Sequence, residues 1–258
     1  MRSLWTGMIS FGLVNIPVKL YSASDETGLD FDMLHKKDMS PIRYARICEA
    51  TGEEVPYRDI VKGYEYEKGR YVVVEADDFQ KARAKKTETI EVLEFIREDE
   101  IDIKLLEKPF YVEPAHQVKK AYALLREALR RSRKVGVAKF VLRQKEHLAL
   151  LKAEGPVLVL DRMRFESQIR DARPLDLPPE GEKVPEKELE LALRLVEQLS
   201  GRFRPESFKD TYTETLKGVI EAKVHGKEKH VRPEEVPPTK VPDLLSKLKE
   251  SLEYAHAG

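Results

Sequence analysis

Short apolar segments with a two-residue period recur between residues 4 and 163, and only one long stretch among them keeps a helical period. A period of two sends alternate side chains to opposite faces of a strand. Residues 4–21 (LWTGMISFGLVNIPVKLY) are rich in β-branched and aromatic residues and are broken by Gly7, Gly12 and Pro17, which predicts two strands that bend at a barrel corner. Turn residues at 38–41 and 51–54 frame an alternating stretch at 42–47, read as an extended hairpin that ends in a strand at 71–74. A helical patch is expected at 77–84. Strands are expected at 89–95, 109–112 and 137–143, with a hairpin of 147–152 and 157–163 about the turn 153–156. An open edge in so β-rich a unit would invite pairing with other chains, so a closed or nearly closed antiparallel sheet is expected.

The helical stretch uses Val118, Ala121, Leu125, Ala128 and Leu129, with Pro114 read as its first turn and Gly136 as its terminator. Composition changes at residues 173–185, where Pro174, Pro178, Pro179 and Pro185 make a linker. Two helices follow. One carries Leu189, Ala192, Leu193, Val196 and Leu199 and stops at Gly201; the other starts near Pro205, carries Phe208, Tyr212, Leu216, Val219 and Ile220, and stops at Gly226. A helix pair has no core of its own, so these faces are expected to pack on a second copy. Residues 227–241 hold too few apolar side chains to offset the entropy of ordering them and read as a tether. Beyond it, Leu244, Leu245, Leu248, Leu252 and Ala255 share one stripe of a short helix, marginal alone and suited to docking on a partner.

Charge is distributed unevenly. The chain has 46 Lys/Arg against 46 Asp/Glu. Yet residues 126–145 contain eight Lys/Arg and one acid, Glu127, whereas residues 88–113 contain nine acids and three bases. Concentrated positive charge attracts a polyanion. No segment approaches the roughly 18–20 apolar residues of a membrane span, and MRSLWTGMIS lacks a secretory apolar core; the expectation is a cytoplasmic protein. The lone Cys48 excludes an intrachain disulfide and reads as a small packing residue. Phosphate-cradling glycine loops, H-E-x-x-H, paired C-x-x-C and G-x-S-x-G are all missing from the sequence, and the six histidines are scattered. Neither catalysis nor a cofactor or metal is expected.

Five segments in order carry a resemblance: 10–23 (SFGLVNIPVKLYSA), 62–74 (KGYEYEKGRYVVV), 89–95 (TIEVLEF), 107–114 (EKPFYVEP) and 120–151 (KAYALLREALRRSRKVGVAKFVLRQKEHLALL). Together they make the chain resemble the bacterial Ku proteins. The resemblance implies a mixed, mainly β fold: a Ku-core β-barrel with an extended arching hairpin, one flanking amphipathic helix and a C-terminal helical arm. It also implies a homodimeric ring that loads onto double-stranded DNA ends and recruits the ATP-dependent ligase of non-homologous end joining. On that reading residues 1–172 are the barrel core with an arch at about 32–70, residues 173–226 the arm with dimer contacts, 227–241 the linker and 242–258 the ligase-docking segment. Two departures stand out: some relatives carry a second cysteine shortly after the first, where this chain reads Cys48-Glu-Ala-Thr-Gly52, and the Lys-rich tail of some bacterial members is missing.

Holding DNA without reading its sequence needs Lys and Arg on phosphates. The arch offers Lys36, Lys37, Arg43 and Arg46 against a single acid between 36 and 46, Asp38. The barrel side offers Arg131, Arg133, Lys134, Arg143 and Lys145. The tail offers Leu244, Leu245, Leu248 and Leu252 to the ligase. Two other classes remain open: a sequence-specific DNA-binding regulator, which would need a helix reading base edges, and a scaffold for an acidic protein.

Overall fold

A computed structural model describes residues 1–25, 28–82, 88–226 and 244–255. The chain divides into two compact units, Met1–Ala172 and Arg173–Gly258.

The first unit is built on a closed barrel. β1 (Trp5–Phe11) and β2 (Val14–Ser22) form an antiparallel hairpin in full register, with Ile9 opposite Ile16. The chain then leaves the barrel and returns as β5 (Thr89–Arg97) and β6 (Leu106–Pro114). After one helix, β7 (Lys134–Leu142), β8 (Lys145–Glu154) and β9 (Val157–Met163) complete it in the order β1-β2-β6-β9-β8-β7-β5. Closure is the parallel pairing of β1 with β5, Ile9 opposite Ile90. Gly7 permits it: a Cβ there would lie 2.3 Å from the Glu88 carbonyl oxygen, which accepts a 2.9 Å hydrogen bond from the Met8 amide.

Alternation in β2 places Ile16, Val18 and Leu20 inside, and Phe110, Val112, Phe140, Leu151, Leu158 and Leu160 join them in one core. The helix between β6 and β7 runs Lys119–Ser132 and contributes Tyr122, Leu125 and Leu129 to the same core. A smaller cluster of Val135, Leu150 and Met163 packs with Ile96, Ile101, Leu105 and Leu106. Residues of β8 and β9 that face this cluster are therefore buried too, and the strand centres lose their alternation. The barrel confirms the expected mixed, mainly β fold class.

Details of the expectation are corrected. Pro114 belongs to β6, opposite Val18, and the helix begins five residues later. Its terminator is Arg133, in left-handed backbone at φ 53°, while Gly136 lies inside β7 opposite Leu151. A Cβ at Gly136 would meet Val92 at 3.1 Å and Phe95 at 3.3 Å, so that glycine serves strand packing.

The excursion between β2 and β5 is less regular than expected. Residues 28–60 carry no strand ladder, only the isolated bridges Leu34–Pro41 and Ile47–Glu54 and a 3-10 turn at Tyr57–Asp59, because no second apolar layer covers them; Phe31, Ile42, Tyr44 and Ile47 are all exposed. A two-stranded ladder forms further on, β3 (Lys62–Glu67) with β4 (Arg70–Val74). The first helix in chain order, α1 (Ala76–Lys81), follows it, so the Lys119–Ser132 helix is α2. The expected extension of α1 to 84 runs outside the described residues.

In the second unit, α3 (Glu186–Leu199) and α4 (Thr211–Val224) are joined by a 3-10 turn at Pro205–Ser207. α4 starts six residues after Pro205, where Asp210 caps it by accepting from the Thr213 amide at 3.0 Å, so Phe208 precedes the helix. α5 (Leu244–Ala255) lies against α3. The expected tether at 227–241 and the side chains of Leu244, Leu245 and Leu252 lie outside the described residues; Leu248 is half-buried. No helix among the described residues is long and apolar enough to cross a membrane.

Candidate nucleic-acid interface

The nine basic residues singled out above fall into three separate groups. Arg131, Arg133 and Lys134 sit where α2 passes into β7, and all are exposed. One turn back, Glu127 binds Arg130 at 2.7 Å and Arg131 at 2.6 Å. Hydrogen bonds from these two guanidinium groups lower the Glu127 carboxyl to about 2. The single acid of this basic run therefore offsets part of the charge on two arginines and leaves Arg133 and Lys134 untouched. A cleft of about 680 Å³ opens beside them, lined also by Arg97, Glu98, Asp99, Arg130 and Lys152, with Arg97 bound to Asp99. Lys152 is held 3.1 Å from Asp161, the one buried charged residue among those described.

Arg143 and Lys145 lie at the far end of β7. At about 3.3 Å per residue, the nine residues of β7 separate the two ends by roughly 26 Å, so the barrel-side residues do not form one patch. Leu142 pairs with Lys145 across a two-residue turn in which Arg143 (φ 49°) and Gln144 (φ 71°) are both left-handed. A cleft of about 500 Å³ adjoins this turn and brings Lys108, His147 and Arg162 beside Arg143 and Lys145. Lys108 and Arg162 are direct cross-strand neighbours on β6 and β9, and Arg162 binds Glu107 at 2.8 Å. Burial, then the positive charge of Arg162, holds the His147 imidazole below its ordinary value.

The third group, Lys36, Lys37, Arg43 and Arg46, is exposed along the irregular excursion. Its one intervening acid is engaged locally: Asp38 accepts from the Ser40 hydroxyl at 2.7 Å, from the Ser40 amide at 3.1 Å, and meets His35 at 2.9 Å. The Ser40 hydroxyl above all, then the Ser40 amide and His35, holds the Asp38 carboxyl below its usual range. The guanidinium carbon of Arg46 lies 5.1 Å from the centre of the Tyr57 ring, a cation–π contact.

Lys108, His147 and Arg162, and likewise Arg97 and Lys152, escaped the sequence reading. They are scattered over different strands in the sequence, and only the strand register reveals which of them converge. No group of three His, Cys, Asp or Glu among the described residues is placed to hold a metal.

Comparison with known proteins decides the family. The description "Ku70/Ku80 beta-barrel domain" matches residues 10–191, which span β1 to α3. The chain belongs to the Ku family. Its Ku relatives match along their length. A non-homologous end joining protein Ku from Opitutus terrae is 42% identical over 260 residues, covering 100% of this chain and 94% of the relative. Proteins of the same name from Pseudomonas aeruginosa and Bacillus subtilis are 40% and 37% identical, covering 100% and 98% of this chain and 90% and 82% of theirs. The Ku assignment accounts for the closed barrel.

Proposed function

We propose that this Ku protein binds the ends of double-stranded DNA without regard to sequence, as a homodimer, and recruits an ATP-dependent DNA ligase for non-homologous end joining. It acts as a scaffold and not as a catalyst. The observation that carries this reading is the full-length similarity to proteins named for non-homologous end joining. The chemistry agrees with it: Lys36, Lys37, Arg43, Arg46, Arg133, Lys134, Arg143 and Lys145 are exposed cations, suited to phosphate contacts that position a duplex and carry no sequence information. Dimerisation is supported by the apolar face that α3 leaves uncovered, where Leu189, Leu193, Val196 and Leu199 are 47% to 69% exposed.

A base-reading regulator would have to use α2. Three buried residues hold that helix on the barrel, Arg126 donates to the Pro156 carbonyl, and Arg130 and Arg131 donate to Glu127, leaving few donors for base edges. The decisive test is topological. Linear duplex binds, and a covalently closed circle of the same sequence does not; equal affinity for both overturns end threading. Sedimentation of the free protein should give a dimer, and a salt-independent monomer contradicts it.

A further inference from the structure

The cleft beside the Arg143–Gln144 turn differs in kind from the other two basic groups. It is concave, and its donors come from separate elements fixed by strand pairing: Lys108 from β6, Lys145 and His147 from β8, Arg162 from β9 and Arg143 from the turn. Leu4, Phe110 and Leu142 supply an apolar side. His147 stacks obliquely on Phe140 at 5.7 Å, so its ring is held in place from behind. Glu107 is bound to Arg162 at 2.8 Å, and Arg143 and Lys145 are exposed at the mouth of the cleft. The turn itself is costly. Arg and Gln both occupy backbone that L residues avoid, where Asn-Gly would close the hairpin without strain. That cost places the Arg143 side chain at the mouth of the cleft.

We infer that this cleft, with Lys108, Arg143, Lys145 and Arg162 converging on His147, is a binding site for a phosphomonoester dianion. The charge fits: a dianion with three terminal oxygens answers several donors arriving from different directions. A phosphodiester has one charge, two free oxygens and a chain leaving on both sides, and it suits an open basic surface such as the α2–β7 corner. Burial, then Arg162, opposes protonation of His147, with Lys145 adding to them and the Leu142 backbone hydrogen bond and Glu107 opposing. A dianion among these groups reverses that balance and raises the His147 titration, so its binding takes up a proton at the imidazole, while the phosphate's own second ionisation at about pH 6 depletes the dianion as pH falls further.

Two sources share this chemistry: the terminal phosphate of a nucleic acid chain and a free small phosphate. The inference does not rest on the end-binding reading. The test uses the full chain labelled with ¹⁵N-histidine, His147 being assigned through His147→Gln, and inorganic phosphate as the probe. Phosphate should move the His147 signals and raise its titration midpoint by about one pH unit relative to chloride at equal ionic strength. Arg143→Gly, which relaxes the strained turn and so keeps the fold, and Lys108→Gln should each weaken that response by about tenfold. A His147 titration that is the same in phosphate and chloride, or variants that respond like the parent, overturns the site.

Short duplexes with 5′-phosphate or 5′-hydroxyl ends then separate the sources. A His147 response confined to the phosphorylated duplex identifies the chain terminus, and a response to inorganic phosphate with no difference between duplexes identifies the free anion; either supports the site. Tight duplex binding with His147 silent to every probe defeats this inference and leaves end binding standing. A phosphate response without duplex binding does the reverse.

Discussion

Two arginines hold backbone that the sequence gives no hint of. Arg133 ends α2 at φ 53°, a place glycine usually takes, and this is why Gly136 is mistaken for the terminator. The left-handed strain costs roughly 1–2 kcal/mol, and glycine's larger unfolded-state entropy returns part of it, so Arg133→Gly should stabilise the fold by roughly 0.5–1 kcal/mol in urea unfolding. The same change should weaken DNA binding; unchanged affinity would remove Arg133 from the interface. Tyr122 acts in the opposite sense. Its hydroxyl donates to the Val112 carbonyl at 2.8 Å and accepts from the Leu158 amide at 2.7 Å, at the end of the β6–β9 ladder. Tyr122→Phe leaves a buried amide without its acceptor and should cost roughly 1–3 kcal/mol, read in the same unfolding experiment.

Among elements, the strands were the most legible. Alternation marked β1, β2 and β5 close to their observed limits, because one face of each meets the core and the other meets water, and the turn at 153–156 marked the β8–β9 hairpin, whose strand centres are buried on both faces. Residues 28–60 misled for the complementary reason: local alternation at 42–47 had no sheet to face, and only two bridges formed. α3 shows a subtler limit. Of the stripe expected there, Leu189, Leu193, Val196 and Leu199 are exposed, whereas Ala192 is half-buried with Leu191 and Leu195 in a second stripe on the helix against which α5 lies. Two stripes on one helix are visible in the sequence, but which of them is covered depends on what packs there. Removing residues 242–258 should abolish stimulation of the ligase and leave linear-duplex binding intact in a gel shift. Loss of end binding in that truncation would assign α5 to the folded core instead.

For the molecule as a whole, the zero net charge conceals separate basic groups. Binding that depends on phosphate neutralisation falls with salt at a slope of about −0.9 in log affinity per phosphate. Arg143→Glu with Lys145→Glu should therefore make that slope shallower by about two units, as measured by titrations at several salt concentrations. A slope equal to that of the parent would show that these side chains do not touch DNA.

The sequence by itself determined the elements and the family: period-two segments, a single amphipathic helix before the proline-rich break at 174–185, and motifs that match Ku along the chain. Those signals are local, since hydrophobic period and turn residues act within a few positions of one another. Only the tertiary structure decided which charges stand together. Lys108 and Arg162 are 54 positions apart and meet because β6 pairs with β9, whereas Lys134 and Arg143 belong to one continuous basic run and are held apart by the full length of β7. Strand register sets distance across a barrel, and register is fixed by the packing of the whole core.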